Sequence, residues 1–345
     1  MLKRLSARER LEQLAVTWEP IIRAAWVEAI EGIRSDIILR QIVERLERQD
    51  IDGAIRALNL DEAAFRPFTK ALAEAFEGGG VSTVEGMPAL RDPEGHRVLI
   101  RFNAQAPSAE QYVRNHSSTL IRAITDDQVE SARVVLTAGL QRGDNPTRVA
   151  LDLVGRKSKA TGRREGGILG LTGKQAEYVE VARQRLLSGD PDEMRRLLEL
   201  KRRDKRFDRA LLKLIKDEKA PDQAFVNRWI GRLNDSYLKL RGDTISRTET
   251  MTALNRGQIE AYEQAIASGA VDESLLTKKW IATMDGRTRD THSLLNGKSV
   301  GFRETFQSAF GAQIAYPGDP SAPASERINC RCTMLVKIDH FRGLE

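Results

Sequence analysis

Apolar residues recur at helical spacing through most of the chain and alternate with polar residues only near its C-terminus. Leu11, Leu14 and Trp18 lie three and four residues apart, a spacing that places side chains on one face of an amphipathic helix. Residues 278–283 instead alternate, with Trp280 on the face that also carries Ala282, as in a half-buried strand. The pattern predicts a mainly α fold: a long multi-helix N-terminal and central region followed by a small α+β C-terminal module.

Glycines and capping patterns predict where the helices break. The run Gly78–Gly80 predicts a break with a loop after it. Thr125 and Thr172 are each followed three residues later by Gln, which is a capping-box pattern that starts a helix. Another helix is expected to begin after Gly242. We therefore divide the chain into an N-terminal helical region (1–76), a mixed, mostly helical segment (77–154), a basic loop and helical insert (155–240), and a helix with the C-terminal module (241–345).

The helix expected after Gly242 carries a heptad-like seam that changes character along its length. Its first half is polar, with Thr248, Thr252 and Asn255, whereas its second half is apolar up to Ile266. Such a helix is suited to meet a polar site or a partner at its N-terminal end.

Positive charge is in slight excess and is concentrated in two places. The chain has 55 Lys and Arg against 49 Asp and Glu, a net charge of +6, which weakly favours an acidic partner such as nucleic acid. A glycine-rich loop (155–170) and a predicted amphipathic helix (194–219) hold the clusters. Each is either a phosphate contact or simply a solvated surface. The candidate nucleic-acid-binding residues are Arg156, Lys157, Lys159, Arg163, Arg164, Lys201, Arg202, Arg203, Lys205 and Arg206.

Export and membrane insertion are not indicated. The first 20 residues have no apolar signal-peptide core, and no apolar run approaches the roughly 18 residues of a membrane-spanning helix. The two cysteines, Cys330 and Cys332, are too close in sequence to form a disulfide framework, so we expect reduced thiols.

The cysteines and His292 form a candidate zinc site. Period-2 alternation over 328–336 places Cys330 and Cys332 on one face of a predicted strand, and thiolate and imidazole are zinc ligands. The fourth ligand would be Asp285, Asp290, His340 or water.

Two other interpretations of the same residues stay open. In a catalytic one, His292 is a general base oriented by Asp285 or Asp290, with Ser293 or Cys330 as nucleophile. In the simplest one, the cysteines are small core residues and His292 is a hydrogen-bonding strut. Arg287 and Arg289 would then pair with Asp285 and Asp290.

An ordered set of motifs runs through the C-terminal part: R-T-E-T on a helix, an aromatic strand residue, D-x-R-x-R-x-x-H, a turn ending in Gly, a P-x-D-P loop and N-C-R-C. The set resembles the C-terminal domain of Mu F-like phage head morphogenesis, or minor head, proteins, and a weaker similarity lies upstream, from Phe102 and Asn103 through residues 124–128 to Gly143. The residues that carry it are Arg247, Glu249, Asn255, Trp280, Asp285, Arg287, Arg289, His292, Gly297, Pro317, Asp319, Pro320, Asn329, Cys330 and Cys332.

The resemblance implies a structural virion component and not an enzyme. Such a protein is made in the bacterial host cytoplasm and lies in the capsid interior or at the portal vertex. Its expected partners are the portal protein, major capsid or scaffold proteins, and packaged double-stranded DNA, with no membrane. The resemblance transfers no catalytic residue, and structural zinc is the one candidate cofactor. The alternative function is a metal-dependent DNA hydrolase that uses Asp285, His292, Cys330 and Cys332.

Overall fold

Helices dominate the computed structural model, which describes residues 5–88, 90–91 and 96–339. Within those ranges the twelve α-helices are α1 (Ala7–Asp36), α2 (Leu39–Glu47), α3 (Ile51–Arg56), α4 (Arg66–Gly86), α5 (Pro107–Gln141), α6 (Pro146–Val154), α7 (Gly173–Ser188), α8 (Pro191–Leu197), α9 (Asp208–Lys216), α10 (Gln223–Ala267), α11 (Asp290–Leu295) and α12 (Ala324–Arg327). The described strands are β1 (Leu90–Arg91), β2 (Arg97–Val98), β3 (Arg156–Lys157), β4 (Arg164–Glu165), β5 (Leu276–Ile281), β6 (Ser299–Gly301), β7 (Phe306–Gln307), β8 (Gln313–Ile314) and β9 (Thr333–Ile338). The predicted mainly α fold with a small α+β C-terminal module is confirmed.

Packing groups the chain into two units that are not contiguous in sequence. The terminal unit comprises Met1–Trp26, Pro67–Ser118 and Asp243–Glu345. The central unit comprises Val27–Arg66 and Thr119–Gly242. The long helices α1, α5 and α10 each contribute residues to both units. This grouping follows tertiary contacts, whereas the four predicted segments were defined by composition along the chain.

The predicted break at Gly78–Gly80 is wrong, because α4 continues through it to Gly86. A Cβ built on Gly79 would lie 2.4 Å from the carbonyl oxygen of Leu254, and one on Gly257 would lie 2.1 Å from the carbonyl oxygen of Phe76. The glycines therefore allow the backbones of α4 and α10 to approach each other closely within the terminal unit. Their role is packing, since the helix keeps its hydrogen bonds.

Two predicted helix starts are also wrong. Helix α5 runs through Thr125, and α10 runs through Gly242. The buried stripe of α5 continues on both sides of Thr125, with Ile124, Ala132 and Leu136 all in the core. Tertiary burial of a continuous stripe outweighs a local capping pattern. At Thr172 the prediction is confirmed: its hydroxyl accepts from Gln175 N at 3.2 Å, and the Gln175 side chain accepts from Thr172 N at 3.1 Å.

The basic segment 194–219 is split and does not form one amphipathic helix. Helix α8 ends at Leu197 and α9 begins at Asp208. Between them, Asp204 accepts a hydrogen bond from Arg206 N at 3.0 Å, and Arg203 forms two 2.9 Å bonds to the Asp208 carboxylate. These local carboxylates stabilise a turn, which carries the basic residues 201–206.

The glycine-rich loop is only partly exposed. Its first part forms the β3–β4 hairpin, whereas Ile168 and Leu169 are buried. The buried Arg34 side chain donates to the carbonyl oxygen of Gly167 at 2.8 Å, and Asn234 donates to that of Gly166 at 2.8 Å. The second half of this loop is therefore a packed element of the central unit.

The C-terminal module is built on a three-stranded antiparallel sheet in the order β6-β5-β9. Trp280 pairs with Met334, and the buried face of β5 carries Leu276, Lys278 and Trp280. Strand β9 begins at Thr333, later than the predicted strand start at residue 328, and Ile328 is 37% exposed. The cysteines thus lie in the turn that leads into β9, although both are buried as predicted.

Candidate functional site

The polar half of the α10 seam, Thr248 to Asn255, forms hydrogen bonds with two stretches of the same unit, residues 317–318 and 329–333. Asn255 is fully buried, and its amide nitrogen donates to the carbonyl oxygens of Pro317 at 2.9 Å and Cys332 at 3.2 Å. Its amide oxygen accepts from the hydroxyl of Thr333 at 3.0 Å. One side chain therefore connects the proline loop (residues 317–320), the cysteine turn (residues 329–332) and the start of β9.

Two threonines one and two turns before Asn255 extend this contact. The hydroxyl of Thr248 accepts from Asn329 N at 2.9 Å, and the hydroxyl of Thr252 donates to the carbonyl oxygen of Gly318 at 2.8 Å. Gly318 has φ +84°, a conformation that glycine adopts without steric cost. The polar half of the seam therefore bonds to loops of the same chain, but it lies in the interior of α10 and not at the N-terminal end of the helix, which is at Gln223.

The R-T-E-T residues hold α10 to other helices of the terminal unit. Glu249 is buried, and its carboxylate lies 2.7 Å from His116 Nε2 on α5. Arg247 pairs with Glu19 on α1 at 3.1 Å. These signature residues therefore fix the position of the helix to which the C-terminal loop is bonded.

The proline loop is closed by a buried carboxylate. Asp319 accepts from Ala315 N at 2.8 Å and from both the backbone and the hydroxyl of Ser321, at 2.8 and 2.7 Å. It is 5% exposed, so these bonds satisfy a carboxylate with little access to water. Asp319 and the adjacent Gly318 are thus structural parts of the loop.

The candidate metal ligands converge as predicted. His292 Nδ1 lies 3.5 Å from the sulfur of Cys330 and 3.5 Å from the sulfur of Cys332. All three residues are at most 3% exposed. The ring of Trp280 packs edge-on against His292 with centroids 5.1 Å apart, which limits how the imidazole can turn.

The carboxylate beside His292 is that of Glu326, a residue that the sequence analysis did not select. Its Oε2 atom lies 3.0 Å from His292 Nε2 and also accepts from the Thr291 hydroxyl at 2.9 Å. The His292–Glu326 contact is within ion-pair distance but is not aligned as a hydrogen bond. Because α12 is a short helix in a loop-rich stretch, no periodicity marked Glu326 as a buried position.

Asp285 has a different partner, so the prediction that it orients His292 is wrong. Arg331 binds both carboxylate oxygens of Asp285, at 2.6 and 2.7 Å. These bonds hold the pKa of Asp285 well below its ordinary range. Arg287 is 3.7 Å from the same carboxylate, and Arg289 donates to the carbonyl oxygen of Ile328.

The predicted fourth ligands are not part of the cluster. Within the described residues the group of possible metal ligands contains His292, Cys330 and Cys332 alone. Asp285 and Asp290 are exposed, whereas His340 lies outside the described residues. The hydrolase alternative needed Asp285 beside His292, and that arrangement is not present.

The pair of thiols loses one proton more readily than two. A hydrogen bond from the Cys330 thiol lowers the pKa of Cys332, and the same bond together with burial raises the pKa of Cys330 well above its ordinary value. A cation close to both sulfurs would relieve the cost of placing two thiolates in a buried site.

The predicted basic residues are separated, and only three of them meet. Arg156 and Lys157 from the loop and Arg206 from the turn line one cleft of about 510 Å³ in the central unit. Arg228 and Arg232 from α10 complete it, against the carboxylates of Glu165 and Asp235. Sequence reasoning missed the two α10 arginines, although their four-residue spacing on a helix was a usable signal.

Many of the cationic groups are already paired. Arg156 pairs with Asp152 at 2.9 Å and Arg206 with Asp204 at 2.6 Å. Lys157 and Arg228 are exposed, and the ion pairs among the described residues include neither of them. The other predicted basic residues lie outside the cleft lining: Lys159, Arg163, Arg164, Lys201, Arg202, Arg203 and Lys205.

Comparisons with known proteins agree with the resemblance of the C-terminal motifs. Residues 207–335 match the family described as Phage Mu protein F like protein. The match begins inside the 155–240 segment, so part of that segment belongs to the family region, and it does not extend to the weaker upstream similarity.

Curated relatives include proteins of different stated roles. The chain is 34% identical over 120 residues to the NAD(+)–arginine ADP-ribosyltransferase EFV of Enterococcus faecalis, covering 34% of this chain and 22% of that protein. It is 34% identical over 94 residues to the minor head protein GP7 of Bacillus phage SPP1, covering 27% and 30% of the two chains. It is 29% identical over 102 residues to YqbB of Bacillus subtilis, covering 29% and 31%.

The matched regions span less than a third of the length of each of these relatives. The transferase activity is named for the enterococcal protein, and no comparison supports a nuclease. No solved structure matches the chain. In the part of the chain that the structure describes, no helix is both long and apolar enough to span a membrane.

Proposed function

Because this chain belongs, through residues 207–335, to the Mu F-like family, we propose that it is a phage minor head protein. The observation that carries the proposal is this family match, together with the 34% identity to the minor head protein of phage SPP1. The protein would act as a structural component of the virion.

The contacts of the signature residues support a structural role. Asn255, Thr252 and Glu249 are buried and bonded to other parts of the terminal unit. Buried polar groups that are fully paired define one arrangement of the chain, since any other arrangement leaves them without partners. These side chains hold two loop segments and helix α5 to α10, which is a structural role.

The proposed location is the capsid interior or the portal vertex, with the portal protein, the major capsid protein or the scaffold as partner. Mass spectrometry of purified procapsids and virions tests the location, and co-purification with the portal protein tests the partner. We expect the chain in procapsids, in virions or in both. Absence from both particles would overturn the proposal.

The basic cleft of the central unit is the part we propose to contact packaged DNA. It presents five cationic side chains against two carboxylates, and its cations Lys157 and Arg228 are exposed. Phosphate oxygens are acceptors for such groups without regard to base sequence. Contact with the DNA backbone is therefore the form of binding that this surface supports.

Salt dependence of duplex binding tests this part separately. Binding through phosphates weakens as salt rises, with log K falling linearly against log salt. Arg228→Ala and Lys157→Ala should each reduce the slope by about one. The control is Arg40→Ala, an exposed arginine of α2 paired with Glu44 at 2.7 Å, which should leave the slope unchanged. A slope near zero for the wild-type chain would overturn DNA contact, while the particle analysis would still decide the head-protein role.

A further inference from the structure

One ring nitrogen of His292 faces two sulfur atoms at the same distance. Nδ1 is 3.5 Å from Cys330 Sγ and 3.5 Å from Cys332 Sγ. An imidazole nitrogen carries one hydrogen or one lone pair in the ring plane, so it makes one well-directed hydrogen bond. A second sulfur at equal distance is therefore not explained by hydrogen bonding alone.

The distances fit a tetrahedral zinc ion among the three atoms. With Zn–N of about 2.0–2.1 Å and Zn–S of about 2.3 Å, a tetrahedral angle separates nitrogen from sulfur by about 3.5–3.6 Å. Both observed separations are 3.5 Å. Thiolate and imidazole ligands also bind zinc in preference to magnesium, calcium or manganese.

The backbone around the ligands is held in place by other contacts. The carbonyl oxygen of Cys332 accepts from Asn255, and that of Arg331 accepts from the Thr283 hydroxyl at 2.8 Å. The cysteine turn is thus anchored on both sides of the second sulfur. The fold itself therefore positions the ligand atoms, so less conformational entropy is lost when an ion binds.

The far side of the imidazole faces a carboxylate at ion-pair distance, as the far side of a zinc-bound histidine often does. Histidines that bind a metal through one ring nitrogen usually present the other nitrogen to a carboxylate, a carbonyl or water. In this site Glu326 lies 3.0 Å from Nε2, and Thr291 donates to the same carboxylate oxygen. Glu326 is therefore a positioning residue and not a ligand.

We propose that His292 Nδ1, Cys330 Sγ and Cys332 Sγ bind one zinc ion that stabilises the C-terminal module. Among the described residues no further His, Cys, Asp or Glu joins the group, which leaves the fourth position for a water molecule. Two thiolates and a divalent ion are neutral together, so the ion removes the charge that burial opposes. This inference does not depend on the proposed virion role.

Metal content of the full chain is the primary test. Protein purified without chelator and supplied with zinc, then dialysed, should contain about one zinc per chain by elemental analysis. Cys332→Ser and His292→Ala should lower the content to near zero. Asp290→Asn, an exposed neighbour of His292 on α11, should keep it. Wild-type protein with no zinc after this treatment would overturn the proposal, as would full zinc content in both ligand variants.

Cobalt substitution of the wild-type chain keeps the test decisive if the ligand variants fail to fold. Tetrahedral cobalt bound by two thiolates has intense visible bands and sulfur-to-metal charge-transfer bands in the near ultraviolet. We expect both, with zinc displacing them at one equivalent. A weak octahedral spectrum without thiolate charge transfer would overturn the assignment.

Discussion

The C-terminal module and the basic cleft use polar residues in opposite ways. Where α10 contacts the module, Asn255 and Thr252 are buried and hydrogen-bonded to the carbonyl oxygens of Pro317 and Gly318. In the cleft, Lys157 and Arg228 are exposed cations. A buried polar group contributes through geometry, because losing its partner is costly, whereas an exposed cation contributes through a field that salt screens. The polar groups at the module therefore stabilise the architecture, whereas the cleft is the surface that we propose for DNA.

The largest test of this contrast is Asn255→Leu. The change removes both amide donors and leaves the carbonyls of Pro317 and Cys332 and the Thr333 hydroxyl buried without a partner. At roughly 1–3 kcal/mol for each unpaired group, we expect a loss of about 3 kcal/mol or more in unfolding free energy. Chemical denaturation followed by near-UV circular dichroism measures it. Gln307→Leu, at an exposed strand position, should change it by less than about 0.5 kcal/mol.

Gly79→Ala tests whether close backbone packing is as important as the polar contacts. The added Cβ would lie 2.4 Å from the Leu254 carbonyl oxygen, so α4 and α10 must separate. We expect a destabilisation of about 1–3 kcal/mol, as for overpacked cores. The control Gly32→Ala adds its Cβ where no atom lies within 4 Å and should be neutral or stabilising by up to about 1 kcal/mol. Equal effects of the two substitutions would contradict the packing explanation.

Glu326→Gln sharpens the comparison at the proposed metal site. The amide keeps the size of the side chain but weakens its interaction with the imidazole, so zinc should still bind with about 10- to 100-fold lower affinity. Competition with a chromophoric chelator measures the affinity. Unchanged affinity would show that Glu326 does not support His292 in the site.

A stabilising effect is expected from Lys278→Met, which compares a buried cation with the exposed ones of the cleft. Lys278 is 2% exposed, and burial lowers its pKa to about 8. In the unfolded chain the lysine pKa is about 10.4, so between those pH values the unfolded state binds more protons and wild-type stability rises with pH. The Met variant should be more stable below pH 8, with the difference in Tm shrinking toward about pH 10.

Lys279→Met is the matched control for that change, because Lys279 lies on the opposite face of the same strand. It should retain the pH dependence of the wild-type chain. If the Lys278 and Lys279 variants have the same Tm profile from pH 7 to about 10, burial of Lys278 is not the cause of the predicted slope.

Local patterns failed where a distant contact decided the outcome. Thr125 has the residues of a helix start, yet it lies inside α5, because the buried stripe on both sides continues without interruption. Gly78–Gly80 has the composition of a loop, yet it lies inside α4, where the α10 backbone lies against Gly79 and the Phe102 ring lies against Gly80. At Thr172 no such contact competes, and the capping box forms as predicted.

The sequence by itself determined the fold class and the resemblance to the Mu F-like family, and it offered His292, Cys330 and Cys332 as a zinc site among three open interpretations. Helical periodicity and an ordered motif set are properties of the sequence itself, so they can be read along one chain. Tertiary structure alone decided that Glu326 lies beside His292 and that Arg331 binds Asp285. It also decided that Arg228 and Lys157 line the same cleft. Those pairs are set by how separate elements pack, and no spacing along the chain encodes that packing.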